Sequence, residues 1–180
     1  MIICAGNNET FDFAQPMGVG LVETAMNITR LCLFDKPEFL LFVGSAGSYG
    51  DAQIFDIIES KTAANIELAF LSNDAYTPLD NVVSTNTTNT KDIVVNSSNY
   101  ISTNADIAKN FLKFNVGIEN MEFFAVLKIA EEFNIPAGGV FCVTNFTNTN
   151  AHEDFLKNHE KAKELLDVHV KKRIKELTAK

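Results

Sequence analysis

Phe39-Leu40-Leu41-Phe42-Val43-Gly44-Ser45-Ala46-Gly47 is the stretch on which the fold turns. Its first five residues form a continuous apolar run of strand length, the pattern of a central strand covered on both faces. The four small residues that follow read as a tight turn at the strand's end, where open α/β sheets bind ligands. Consecutive backbone N–H groups left free by such small residues can hold an oxyanion, and a ligand can approach them without side-chain obstruction.

Working outward, Ile2-Ile3-Cys4-Ala5 reads as a short buried strand, and Gln15 to Gly20 as an extended piece leading into a helix over about Leu21–Phe34. Pro37 ends that connection. Strands are expected at Ile54–Glu59, Ile66–Phe70 and Ala137–Val143, and helices at about Ala105–Lys113 and Asn120–Phe133. In the helix from Asn120, Met121, Phe124, Leu127 and Ala130 share a face. Ser72 to Asn104 is rich in Asn, Ser and Thr and reads as short strands joined by turns. A last helix, about Ala151–Leu177, carries Phe155, Ala162, Leu165, Leu166, Val170, Ile174 and Leu177 as its apolar stripe. The fold class is α/β, three-layered, with a mixed twisted sheet between helices.

The 180 residues are 46% apolar, which suits one domain spanning residues 1–180 with a real core. Acidic residues outnumber basic ones 23 to 15, for a net charge of −8, so a nonspecific nucleic-acid binder with a basic footprint is excluded. Cys4, Cys32 and Cys142 are odd in number, widely spaced and set in apolar segments. They read as buried free thiols in a reducing compartment, without a disulfide or zinc frame. No signal-peptide pattern opens the chain and no apolar run reaches the roughly 18 residues of a membrane span. A cytoplasmic location is expected.

A second motif, Asn120-Met121-Glu122, places a carboxylate in the expected first turn of a helix, where the dipole favours it. The segment after it returns to the sheet and ends at Thr144-Asn145, which would bring two polar groups to one end of the sheet.

With Pro16-Met17-Gly18-Val19-Gly20, Phe42 to Gly47 and Phe55-Asp56-Ile57-Ile58, these segments resemble, in order and spacing, the nucleoside phosphorylase and nucleosidase superfamily. Asn120-Met121-Glu122-Phe123-Phe124-Ala125-Val126 is similar to its Glu-Met-Glu-Ala-Ala segment, and Thr144-Asn145 falls where it has Ser-Asp. The resemblance implies N-glycosidic cleavage through an oxocarbenium-like sugar. Glu122 would hold the ribose hydroxyls, Met121 would pack under the sugar, and Asn145 would support the base at N7.

An asparagine there resembles the 6-oxopurine-specific phosphorylases, so phosphorolysis of inosine or guanosine to free base and ribose 1-phosphate, in purine salvage, is the leading expectation. A methylthioadenosine/S-adenosylhomocysteine-type nucleosidase, or a nucleoside-binding protein without turnover, is the alternative. Asn120, Gly44, Ser45, Ala46, Gly18, Ser102 and Tyr100 complete the expected binding set, with Gly44-Ser45 and Ser102 on phosphate. The resemblance implies no metal or cofactor beyond phosphate as co-substrate, and a homo-oligomer. The sequence departs from the hexameric phosphorylases at Phe42, where they carry an arginine. Glu9 stands near the place of the nucleosidases' general base, but in a short loop its expected state is solvated. Of the histidines, His152 is expected beside Asn145, and His159 and His169 on the surface or on a helix face.

Overall fold

The computed structural model describes residues 1–85 and 92–178, without the side chains of Leu177 and Thr178. Part of the Asn/Ser/Thr-rich stretch and the end of the last apolar stripe therefore lie outside the described residues. In chain order the elements are β1 (Ile2–Cys4), β2 (Gln15–Pro16), α1 (Gly20–Phe34), β3 (Leu40–Ser48), β4 (Ile57–Ser60), β5 (Thr62–Ala64) and α2 (Leu68–Leu71). They continue as β6 (Val82–Ser84), β7 (Val94–Ser97), α3 (Ala105–Leu112), β8 (Val116–Asn120), α4 (Phe123–Glu132), β9 (Ala137–Phe146) and α5 (Ala151–Thr178).

The sheet is mixed. Its main path runs β2-β1-β3-β8-β7-β5-β6, with β9 parallel to the other edge of β3 and β4 antiparallel to β9. Strand β3 is the hub: Ile2 and Ile3 of β1 lie beside Leu41 and Phe42, Glu119 and Ile118 of β8 beside Gly47 and Ser48, and β9 runs along its whole length.

Alternation of side chains across the pleat sorts the core into two layers. Phe42, Phe141 and Val143 face one way, onto Ile28 and Leu31 of α1 and Phe123, Val126 and Leu127 of α4. Val43, Val140 and Cys142 face the other way, onto Ala162, Leu166 and Val170 of α5. A third cluster, Tyr49, Ala64, Ile66, Ala108, Phe111 and Val116, closes the sheet's far end.

Three expectations change. Gly44 to Gly47 is not a turn, because β3 continues through it to Ser48, paired with β9. Ile66–Phe70 is not a strand; Asn96 satisfies both the N–H and the C=O of Ile66, at 2.8 and 3.1 Å, and the chain then enters α2. Asn120 does not begin a helix but ends β8, and its Oδ1 accepts from the N–H groups of Glu122 and Phe123 at 2.8 and 3.0 Å, capping α4.

With that cap supplied by Asn120, the Glu122 side chain is released from its own helix. Its Oε1 accepts from the N–H of Gly20, the first residue of α1, at 2.8 Å, while Asn99 Oδ1 takes the N–H of Leu21 at 2.9 Å. Two helix starts and the end of β8 therefore meet at one place.

Candidate functional site

A cavity of about 300 Å³ opens at the C-terminal ends of β3 and β9, between the start of α5 and the starts of α1 and α4. Its floor is Ser45, Ala46 and Gly47; Glu119 to Glu122 form one wall, Thr144 and Asn145 another, and Ala151, His152 and Phe155 of α5 stand at the mouth. Tyr100 and Ile101 come in from the segment after β7.

Glu9 is the residue that sequence reasoning misplaced. Gly6 and Glu9 exchange backbone hydrogen bonds at 3.2 and 2.9 Å around Asn7-Asn8, and Gly6 and Asn7 take positive φ to close so short a loop. The loop is pinned from outside by His159 Nε2, 3.0 Å from the carbonyl of Asn8. Glu9 is thereby turned inward, 9% exposed, with Oε1 accepting from the Ser45 N–H at 2.9 Å. A Cβ on Gly44 would come within 3.1 Å of Glu9 Oε2, so the small residue there makes room for this carboxylate. His159, expected on the surface or on a helix face, is buried for the same reason, whereas His169 sits half-buried against Glu59, 3.0 Å away.

Glu122 is 3% exposed and lines the cavity. Burial pushes its carboxyl up from 4.5 to about 7; the Gly20 N–H opposes that shift, and the nearby charge of Glu9 adds to it. Glu119, a third carboxylate in the lining, is also pushed up by burial and held down by Ser102 and Tyr49.

At the other end, the Asn145 Oδ1 accepts from the Thr144 hydroxyl at 2.9 Å, and its Nδ2 donates to the Phe146 carbonyl at 3.2 Å. That leaves the amide's second N–H and one lone pair of its oxygen for a ligand. Met121, Tyr100, Ser45, Ala46 and Asn120 line the cavity as expected, though Asn120 spends Oδ1 on the α4 cap and Nδ2 on the Ser45 carbonyl at 3.2 Å. Three expected residues lie outside the lining. Gly18 turns the chain at φ +96° ahead of α1, Gly44 sits beneath Glu9, and Ser102 faces the neighbouring small cavity behind Tyr100. Among the described residues no His/Cys/Asp/Glu group could hold a metal, and no helix is long and apolar enough to cross a membrane.

The fold is that of known nucleoside-cleaving enzymes. An aspartate-to-asparagine mutant of the Helicobacter pylori methylthioadenosine nucleosidase, solved with 5'-methylthioadenosine in its active site, superposes with a TM-score of 0.78 at 18% identity, covering 91% of this chain and 79% of that one. Futalosine hydrolase of H. pylori gives 0.77 at 17% identity, covering 91% and 78%. The Streptococcus pneumoniae MTA/SAH nucleosidase gives 0.71 at 15%, covering 94% and 97%. No curated protein sequence matches.

The expectation of a phosphorylase, a pentosyltransferase acting on phosphate, is corrected here. These neighbours are named as nucleosidases and a hydrolase. Within the molecule, the Ser45 N–H expected to bind phosphate is taken by Glu9, and the described lining contains three glutamates and no lysine or arginine. An anion placed there would meet like charge without compensation.

The sequence profile of the Phosphorylase superfamily matches residues 2–175, so the chain, with this sheet and these paired motifs, belongs to that superfamily.

Proposed function

We propose that the protein is a hydrolytic purine nucleosidase, cleaving the N-glycosidic bond of an adenosine thioether or related nucleoside with water as the nucleophile. The observation that carries this reading is the position of Glu9: a buried carboxylate on the cavity floor, seated on the backbone N–H that a phosphate would need.

Each group has a part. Glu122 accepts from the ribose hydroxyls, with Met121 beneath the sugar and Tyr100 against the base. As the glycosidic bond lengthens, positive charge grows on the sugar ring, and the Glu122 carboxylate, in its ionised form, is an opposite charge in the lining that stabilises it. Glu9 takes a proton from water as it attacks the anomeric carbon. The departing base keeps the bonding electrons, and the Asn145 Nδ2 donates a hydrogen bond to N7, stabilising that charge without transferring a proton. A 5' substituent leaves the cavity past His152 and Phe155.

Purified protein is expected to release adenine from methylthioadenosine, S-adenosylhomocysteine or adenosine at a rate that added phosphate does not change. Release that requires phosphate would overturn hydrolysis. Nucleoside binding with no release under either condition would mark a binding protein instead.

The raised pKa of Glu122 gives a further expectation with a definite sign. The ribose hydroxyls donate to the ionised carboxylate, so KM should rise about tenfold for each pH unit below 7. For stability the direction reverses. The folded state holds the Glu122 proton up to about pH 7 and the unfolded chain only up to about 4.5. Between those values the native state binds more protons, and stability falls as pH rises, by on the order of 3 kcal/mol in all. Glu122→Gln should remove that part of the slope, which thermal melts at pH 5 and pH 8 would show; an unchanged difference between the two melts would contradict it.

A further inference from the structure

Glu119 takes no part in the reaction as described, yet it is a buried carboxylate in the wall of the same cavity. Asn96, Glu119 and Gly47 are partners in one row across β7, β8 and β3, and Asn145 of β9 continues it. A Cβ at Gly47 would lie 3.2 Å from Glu119 Cγ and 3.0 Å from Asn145 Nδ2, so the bare backbone there leaves a narrow slot that the Glu119 side chain borders. Both carboxylate oxygens are engaged. Oε1 accepts from the Ser102 N–H at 2.9 Å, and Oε2 accepts from the Tyr49 hydroxyl at 2.9 Å. Tyr49 is itself fixed: its ring stacks on Phe111 of α3 with centres 4.3 Å apart, and its hydroxyl oxygen receives the Asn96 amide at 3.4 Å.

What Glu119 holds is the segment between β7 and α3. Ser98 to Ser102 runs past the cavity, and its Tyr100 and Ile101 are 77% and 51% exposed. Side chains so open to solvent bury too little apolar surface to fix the backbone that carries them. The segment is fastened near its ends instead. On one side Asn99 Oδ1 accepts from the Leu21 N–H at the start of α1, at 2.9 Å, and a Cβ on Gly20 would come within 2.8 Å of that oxygen. On the other side the Ser102 N–H reaches Glu119. Ser102 is buried, so without that acceptor its N–H would be left unpaired, and a bond to a charged acceptor is stronger than one to a neutral group. Glu122 in turn ties the Gly20 N–H back to the end of β8, which closes a circuit: from β8 through Glu119 to Ser102, along the segment to Asn99, onto α1, and back through Glu122. The wall that Tyr100 and Ile101 present to the cavity is one arc of that circuit.

Resting on the nucleosidase reading, we infer that Glu119 is a positioning residue: by clamping Ser102 it sets Tyr100 and Ile101 as a fixed wall against the purine. It acts on the base through the segment it holds. A wall left loose would have to be ordered at each binding event, and that entropy cost appears in affinity. A fixed wall supports the base equally in the bound substrate and in the transition state, so its loss raises KM and spares kcat.

Steady-state kinetics on methylthioadenosine test this. Glu119→Leu should raise KM about tenfold, the worth of one stacked base, with kcat within about threefold of wild type. Glu119→Gln keeps an oxygen that can accept from Ser102, and both constants should stay within about threefold of wild type. Tyr100→Ala should raise KM about tenfold in the wild type and less than about threefold in the Glu119→Leu background, because the two changes remove the same support. A merely structural Glu119 would instead lower the folded fraction, and with it the apparent kcat, and leave the effect of Tyr100→Ala unaltered. The wild type alone supplies a check that no folding defect can obscure: in hydrogen exchange read by NMR, the Ser102 amide should be protected although it lies between elements. An equal cost of Tyr100→Ala in the two backgrounds, an unchanged KM in Glu119→Leu, or unprotected exchange at Ser102 would overturn the assignment of Glu119 while leaving hydrolysis intact. Failure of the wild type to bind and to cleave the nucleoside would instead overturn the nucleosidase reading, and with it the wall's role against a base, even where Ser102 is protected.

Discussion

Glu9→Gln is expected to lower kcat for nucleoside hydrolysis by about 10²- to 10⁴-fold, the usual contribution of a positioned general base, with KM little changed. Glutamine keeps an oxygen that can accept from the Ser45 N–H, so the loop and floor retain their geometry while the proton acceptor for water is lost. Steady-state kinetics on methylthioadenosine, beside a thermal melt to show that the variant folds, would check this. Turnover equal to wild type in a folded variant would remove Glu9 from the reaction and leave its burial a matter of structure alone.

The second large effect runs in the opposite direction. Asn145→Asp should raise kcat by about ten- to a hundredfold on adenine nucleosides, because a carboxylic acid can pass a proton to N7 where the amide only donates a hydrogen bond. The Thr144 hydroxyl, 2.9 Å from Oδ1, would hold one carboxylate oxygen and leave the other facing the slot over Gly47. The gain should carry its own signature: activity of the aspartate variant should fall at high pH as the new acid loses its proton, a limb that the asparagine protein lacks. A variant no faster than wild type, with KM unchanged, would show that departure of the base does not limit turnover.

The long periodic or continuously apolar elements were legible because their signals are local. The strand from Leu40, the strand from Ala137 and the helices from Gly20 and Ala151 stand within a few residues of where hydrophobic pattern places them. Expectation failed where a side chain from elsewhere did the work of the backbone. Asn96 stops the apolar run at Ile66 from extending as a strand, and Asn120 takes over the cap that would have occupied Glu122.

Small residues misled as well. Gly44 and Gly47 read as a turn, yet they are strand residues whose missing side chains leave space for Glu9 on one side and for the slot beside Asn145 on the other. Of the cavity's carboxylates, Glu122 was readable from its motif. Glu9 was not, because its burial depends on Ser45 and His159, 36 and about 150 positions further along the chain. Glu119 was hidden for a related reason: Val116 to Asn120 is only five residues, and its alternation became visible only beside β3 and β7.

The hold of His159 on the Asn7-Asn8 loop has a consequence for the order of events during synthesis. Glu9 lies ahead of β3 in the chain, and the helix that pins its loop follows every strand of the sheet, so the loop is synthesised well before the residue that clasps it. A nascent chain that has folded β1, α1 and β3 has the Ser45 N–H in place and no α5 to turn Glu9 onto it. The inward setting of Glu9 is therefore completed only when α5 docks, and ribosome-bound chains ending before that helix should carry a formed sheet with the Glu9 loop still unclasped.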